Sequence, residues 1–175
     1  MNDWAAQMTA PTTLRVEPLT RAGFARFGDV IEFEGAQSYP INDGTCTRYN
    51  NLANIDVAVQ GGRTALNVFR GQPAKFPLRL SEVERHPLGS QSFMPMGVFA
   101  FLVVVAENGA DGKPGEACAF LSNGRQGVNY ARGVWHHPLL SLGDTSDFLV
   151  VDRVGPGENC DVAALPRTYL IESIG

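Results

Sequence analysis

Val98-Phe99-Ala100-Phe101-Leu102-Val103-Val104-Val105-Ala106 is the longest apolar run in the chain, and its reading decides the fold. β-Branched residues are stiff and suit extended backbone, so the three consecutive valines point to a strand. Alternation sends Phe99, Phe101, Val103 and Val105 to one face and Leu102 and Val104 to the other. Both faces are apolar, as in a strand buried on both sides. A membrane helix needs roughly 20 apolar residues, and this run is far shorter.

Working outward, Glu107 to Gly115 is a Gly- and charge-rich hairpin loop. Ala117–Leu121, Gly127–Tyr130, His137–Ser141 and Asp147–Val151 then read as four short strands. Asp161–Leu165 reads as a helical turn. Upstream, Gln91–Met96 alternates and carries Pro95, which predicts an edge strand or a strand end. Leu78–Arg85 is a further extended segment, preceded by the proline-bearing loop Gln72–Pro77. Ala65–Arg70 is a strand interrupted by Asn67 and Arg70. Asn42-Asp43-Gly44 is a tight-turn signal. Val30–Phe33 and Thr13–Glu17 are strands, separated by a helix Ala22–Phe27 with Thr20 as N-cap and Gly28 as stop. Strands at roughly 8 to 12 residue spacing, with turns between them, predict a sandwich or barrel.

The 175 residues suit one domain with a sizeable core. We expect residues 1–12 to form a loose tail and 13–175 a single catalytic domain. A formal charge of −4 gives no electrostatic reason to expect nucleic acid or an anionic membrane as partner. The tail has no basic region followed by an apolar one, so no signal peptide is expected. Three widely spaced cysteines, Cys46, Cys118 and Cys160, predict free thiols and fit a cytoplasmic location. No GxGxxG, Walker loop, GxSxG or zinc-finger spacing is present, which argues against nucleotide-binding and serine-hydrolase classes.

All three histidines fall in two segments, Glu84-Arg85-His86-Pro87-Leu88-Gly89-Ser90-Gln91 and Gly133-Val134-Trp135-His136-His137-Pro138. On a strand Glu84 and His86 share a face and Arg85 points away. A carboxylate and an imidazole on one face suit a divalent metal or an acid/base pair. The plain alternative is a surface edge with an ordinary ion pair. Of His136 and His137, adjacent on a strand, only one enters a pocket; a packing histidine is the alternative. Arg48, Arg70 and Arg132 lie near aromatics and amides. A guanidinium fork suits a small carboxylate, and Arg70, ending an apolar strand, is the better placed of these to point inward. Asp147 and the Asp152-Arg153 pair read as capping and pairing residues.

The polar segments resemble the two motifs of the cupin superfamily. Glu84-x-His86 with Gln91 stands where the first motif has HxH and, four residues on, Glu. Ala131-x-Gly133-x-x-His136 stands where the second has PxGxxH. That resemblance implies an all-β fold, a cupin-like double-stranded β-helix barrel with a few short helices. It also implies a ligand set of Glu84, His86, Gln91 and His136. A more extensive resemblance runs from about Leu14 to Ile171. Phe27-Gly28-Asp29-Val30-Ile31, Ile41-Asn42-Asp43-Gly44, Arg48-Tyr49, Glu84 to Pro95, Gly127-Val128-Asn129-Tyr130 and Val134 to Leu139 are similar to the ureidoglycolate lyase family.

That family resemblance implies release of urea and glyoxylate from (S)-ureidoglycolate in purine catabolism through allantoin. It implies a homodimer, allows a divalent metal such as nickel, and requires no organic cofactor. Elimination needs a base for the hydroxyl proton, an acid for the departing urea nitrogen, and a cation for the carboxylate. On this reading His86 and His136 are bases or metal ligands, and Glu84 is a second ligand or proton carrier. Gln91 orients the substrate, Arg70 or Arg48 clamps its carboxylate, and Asn129 or Tyr130 bonds the urea end. Rival readings are a non-catalytic cupin binding a small carboxylate or sugar, and an amidohydrolase releasing ammonia from the same substrate.

Overall fold

The computed structural model describes residues 10–174. The elements in chain order are β1 (Thr12–Thr13), β2 (Val16–Pro18), α1 (Arg21–Phe24), β3 (Gly28–Ile31), β4 (Ser38–Ile41), β5 (Cys46–Tyr49), β6 (Arg63–Gly71) and β7 (Leu78–Arg85). They continue with β8 (Gln91–Pro95), β9 (Phe101–Asn108), β10 (Pro114–Leu121), β11 (Gly127–Tyr130), β12 (Trp135–His136), β13 (Leu140–Ser141), β14 (Ser146–Val154) and β15 (Asp161–Ile171). The chain is all-β, as the strand spacing predicts, with the cupin-like barrel architecture. The expected tail lies, for residues 1–9, outside the described residues; Thr12 and Thr13 pair with Tyr169 and Leu170.

A larger sheet runs β1-β15-β7-β12-β9-β10-β2, with β13 also on β9, and a five-stranded sheet runs β3-β11-β8-β14-β6. The two enclose a core of Phe24, Phe27, Phe93, Phe101, Val103, Val105, Val128, Tyr130, Phe148 and Val150. The larger sheet also curls around a second core on its other face, containing Leu80, Val83, Leu102, Val104, Trp135, Leu165 and Tyr169. Contacts from β15 to β10 close that curl: the Ala117 amide donates to the Tyr169 hydroxyl at 3.2 Å, and Arg167 pairs with Glu116. Strand β9 serves both cores, which is why neither of its faces is polar. Each large side chain so buried contributes roughly 1.5–3 kcal/mol.

The strand holding the opening stretch is displaced from its predicted position. It begins at Phe101 rather than Val98 and runs to Asn108, leaving Val98 and Phe99 exposed. Helix α1 is N-capped by Thr20 as predicted, its side chain accepting from the Gly23 amide, but the helix ends at Phe24. Gly28 opens β3 instead of stopping the helix. A Cβ there would lie 1.9 Å from the Asn129 carbonyl oxygen, so the glycine serves a close backbone approach. Strand β8 is central, not an edge; Pro95 is tolerated because it is the last residue of the strand. The predicted helical turn Asp161–Leu165 is instead the start of the longest strand. There Asp161 to Ala164 pair with Arg85 to Glu82, and this tertiary pairing overrides the helical preference of the two alanines. Of the predicted strand His137–Ser141 only Leu140–Ser141 pairs, as β13; β12 ends at His136, two residues before Pro138, which has no amide to give to a ladder.

Candidate active site

Strands β7 and β12 are neighbours, and Glu84 stands opposite His136 in their register. The turn at Gly133 sets this up: its amide donates to the His86 carbonyl at 2.9 Å, tying the end of one histidine segment to the start of the other. Gly133 has φ +78°, a conformation that glycine adopts freely. One potential ligand atom each from Glu84, His86 and His136 lies within 4.8 Å of the others. Gln91 enters from β8 in the facing sheet and is buried. The two polar segments therefore meet between the sheets.

Hydrogen bonding fixes the form of both imidazoles. Nδ1 of His86 lies 2.6 Å from the Asn159 carbonyl, and Nδ1 of His136 lies 3.0 Å from the Val134 carbonyl. A carbonyl only accepts, so each Nδ1 carries a proton, and in the neutral ring Nε2 is then the nitrogen with the lone pair. Neither Nε2 has a hydrogen-bond partner, and neither does Oε1 of Gln91, although all three atoms are buried. Burial pushes the His136 pKa down to about 3, opposed by the Val134 carbonyl and reinforced by His86 and His137. The 3.6 Å approach of His136 Nε2 to Glu84 Oε1 is therefore a lone pair facing a carboxylate, not an ion pair. Tyr130 stacks on the His136 ring, centroids 4.1 Å apart and planes 11° apart. Burial, reinforced by Glu84, raises the Tyr130 pKa and keeps its hydroxyl protonated.

Buried polar atoms are nearly always paired, so three unpaired acceptors converging beside a carboxylate mark a site awaiting a partner. Neutral imidazoles with Nδ1 anchored on backbone carbonyls are the form that binds metal through Nε2. The donor set Glu84, His86, Gln91 and His136 thus fits a divalent cation. A cavity of about 420 Å³ opens on it, lined by Phe69, Arg70, Gln72, Glu84, Gln91, Phe93 and Leu139 among others. A larger hollow of about 630 Å³ lies elsewhere, between Leu14, Arg26 and Cys118, and none of the unpaired atoms lines it.

A family model described as ureidoglycolate lyase matches residues 11–172. The chain belongs to the ureidoglycolate lyase family. It is 55% identical over 156 residues to a protein named ureidoglycolate lyase from Burkholderia mallei, covering 89% of this chain and 91% of that protein. It is 53% identical over 162 residues to one of the same name from Rhizobium etli, covering 93% and 97%. Among solved structures, a dTDP sugar isomerase from Desulfovibrio desulfuricans G20 matches at a TM-score of 0.46 and 15% identity, over 78% of this chain and 83% of the other.

The remaining candidates of this family member divide. His137 turns out of the cleft, and its Nδ1 bonds the Pro138 carbonyl. Arg70 reaches the rim of the cavity, but its guanidinium makes two bonds to Asp147, at 2.7 and 2.8 Å. That pair raises the Arg70 pKa and lowers that of Asp147. Arg48 lies on the exposed strand β5 and does not line the cavity. Asn129 is buried with its amide fully engaged: it bonds Ser92 Oγ, Asp29 Oδ2 and the Asn54 carbonyl. Asp152, read from sequence as a capping or pairing residue, instead faces the cleft. Burial raises its pKa, while His86 and hydrogen bonds from Asn67 and Gln91 oppose the rise. The available sequence signal was alternation: Phe148, Val150 and Asp152 share the inward face of β14.

Proposed function

We propose that this protein is a ureidoglycolate lyase that eliminates urea from (S)-ureidoglycolate to give glyoxylate, in purine catabolism through allantoin. The observation that carries the reading is the convergence of the unpaired Nε2 atoms of His86 and His136 and Oε1 of Gln91 beside Glu84. Among the described residues, those buried side-chain atoms have no hydrogen-bond partner and can meet a ligand.

The substrate carbon bears a carboxylate, a hydroxyl and a ureido nitrogen. In the elimination the hydroxyl O–H breaks, the C=O forms, the C–N bond breaks, and the proton ends on the departing nitrogen. No net proton or electron is exchanged. We assign the proton transfer to Glu84, which opens on the cavity. Gln91 is split between two tasks: its NH2 meets Asp152 while Oε1 stays free for the ligand. We assign to Asp152, which Gln91 contacts, the acceptance of the ureido N–H groups. The apolar walls Phe69, Phe93 and Leu139 restrict water around the leaving group. Glu84, His86, Gln91 and His136 would hold a divalent metal such as nickel, which would supply a Lewis acid that lowers the pKa of the substrate hydroxyl.

The substrate carboxylate needs a cation. Because Arg70 is committed to Asp147, we assign the clamp to Arg48. We place the enzyme in the cytoplasm, which the odd and widely spaced cysteines fit, as a single catalytic domain that works as a homodimer. The test is product analysis on purified protein given (S)-ureidoglycolate, with and without chelator. Equimolar urea and glyoxylate are expected. Ammonia in place of urea would make the enzyme an amidohydrolase, and saturable binding without turnover would make it a carrier.

A further inference from the structure

The hairpin of β4 and β5 is the least integrated part of the described chain. Every residue of both strands is exposed, and the two strands pair only with each other. A lone two-stranded hairpin is marginal in water. The register places Tyr39 opposite Arg48 and Ile41 opposite Cys46, so these four side chains share one outward face. Its turn is well formed: Asn42, Asp43 and Gly44 all have positive φ, and the Gly44 amide bonds the Ile41 carbonyl at 3.1 Å. The ribbon thus presents an aromatic, an aliphatic and a cationic side chain to solvent.

The hairpin leaves the β3 edge of the five-stranded sheet and returns to it, where the Asn54 amide bonds Asp29. At the opposite edge lies β6, nine residues long, with Leu66 and Val68 at 66% and 58% exposure on the outer face. A long exposed apolar edge strand is a hazard unless something covers it. The cavity lies at the β6 edge, lined by Phe69, Arg70 and Gly71. It is lined by the carboxylate of Glu84, with Asp152 behind Gln91, and its one lining arginine is neutralised by Asp147.

We propose that the hairpin of one protomer packs on β6 of a second copy and delivers Arg48 to that copy's cavity, so that each active site is completed in trans. A twofold axis parallel to the central strand β8, standing clear of the sheet's outer face, brings the β3 edge of one copy over the β6 edge of the other; within one sheet these edges are about 19 Å apart at the usual strand spacing. It lays each hairpin on its partner's Leu66 and Val68, and it brings a free cation to an acidic cleft that must hold a substrate carboxylate. The inference rests on the homodimeric lyase read above.

The test is complementation. Arg48→Ala and His136→Ala are each expected to lower kcat/KM, Arg48→Ala by about 100-fold. Co-expressed under different tags and purified through both, every dimer is mixed. In trans, the Arg48→Ala subunit keeps His136 and receives Arg48 from its partner, so about half of wild-type activity returns. No recovery in a mixed dimer overturns the trans assignment while leaving the lyase and the dimer standing. Full activity of Arg48→Ala overturns the role of Arg48. A wild-type protein that sediments as a monomer yet releases urea overturns the proposal and the dimer, but not the lyase. Leu66→Lys/Val68→Lys is expected to sediment as a monomer with activity reduced to the Arg48→Ala level; an unchanged dimer would also count against it.

Discussion

Two buried polar regions lie back to back on the five-stranded sheet, and they differ in one respect. On its outer face Ser92, Asn129 and Asp29 stand side by side on three adjacent strands, and their side chains bond one another and the Asn54 backbone. On its inner face, one residue along the same strands, Gln91 and Tyr130 meet His86 and His136, and three acceptors have no partner. Both regions bury amide and ionisable groups. The saturated one behaves as structure, since every group has its bond. The unsaturated one retains bonding capacity for a ligand. The difference separates two of the residues assigned to the urea end: Asn129 has its amide engaged on both ends, whereas Tyr130 stacks on His136.

The largest expected effect breaks the comparison at its functional side. His136→Ala should lower kcat/KM by about 1000-fold, and the purified variant should lose bound metal measured by elemental analysis. Its melting temperature should fall as well, because the Nδ1 bond to the Val134 carbonyl and the stack on Tyr130 go with the ring, so activity is compared per folded molecule. Asn129→Ala should cost stability but spare turnover. It leaves Ser92 and Asp29 short of partners in a buried setting, so urea denaturation should show a loss of about 3 kcal/mol. Turnover per folded molecule should stay within about threefold of wild type. Equal activity losses in both variants would erase the distinction between the two faces.

The same comparison predicts a pH signature. His136 has its folded-state pKa lowered to about 3 from an ordinary value near 6.5. The unfolded chain binds this proton first, so the native state is favoured fully above pH 6.5 and loses that advantage as pH falls toward 3. In metal-free protein the slope attributable to this one group is at most about 1.4 kcal/mol per pH unit. Between pH 6 and 4, wild type should therefore lose stability more steeply than His136→Gln. Parallel curves would mean that His136 is not held neutral.

Much of this was legible in the sequence, for physical reasons that vary by residue. The period of two along residues 101–106 exposed a strand buried on both faces, and the length and order of the polar runs pointed to Glu84, His86, Gln91 and His136, which the fold brings together. Strand position within a sheet was not legible: Pro95 suggested an edge or a strand end, and it proves to be the end of a central strand, which satisfies the same constraint. The Asp161–Leu165 segment was misread because its alanines favour helix locally, whereas a long-range ladder with β7 decides its state. Arg70 looked inward because it ends an apolar strand. Only the cross-strand register, which places Asp147 opposite, shows why its guanidinium is occupied. Asp152 was passed over for the converse reason, since its partners Asn67, Gln91 and His86 come from three distant parts of the chain.

The smallest effect tests the residue that joins the two behaviours. Gln91 has one half satisfied by Asp152 and the other half free. Gln91→Glu exchanges the neutral Oε1 for a charged ligand oxygen and removes the NH2 that meets Asp152. Without metal, two carboxylates then face each other, so the metal-free variant should melt below wild type. With a divalent ion the added charge strengthens binding and relieves that repulsion, so metal affinity should rise about tenfold. The gap between metal-bound and metal-free melting temperatures should widen accordingly, by linkage. Should the gap stay the same while the metal-free protein is destabilised, Oε1 of Gln91 faces the substrate rather than the ion, and its free valence belongs to substrate orientation.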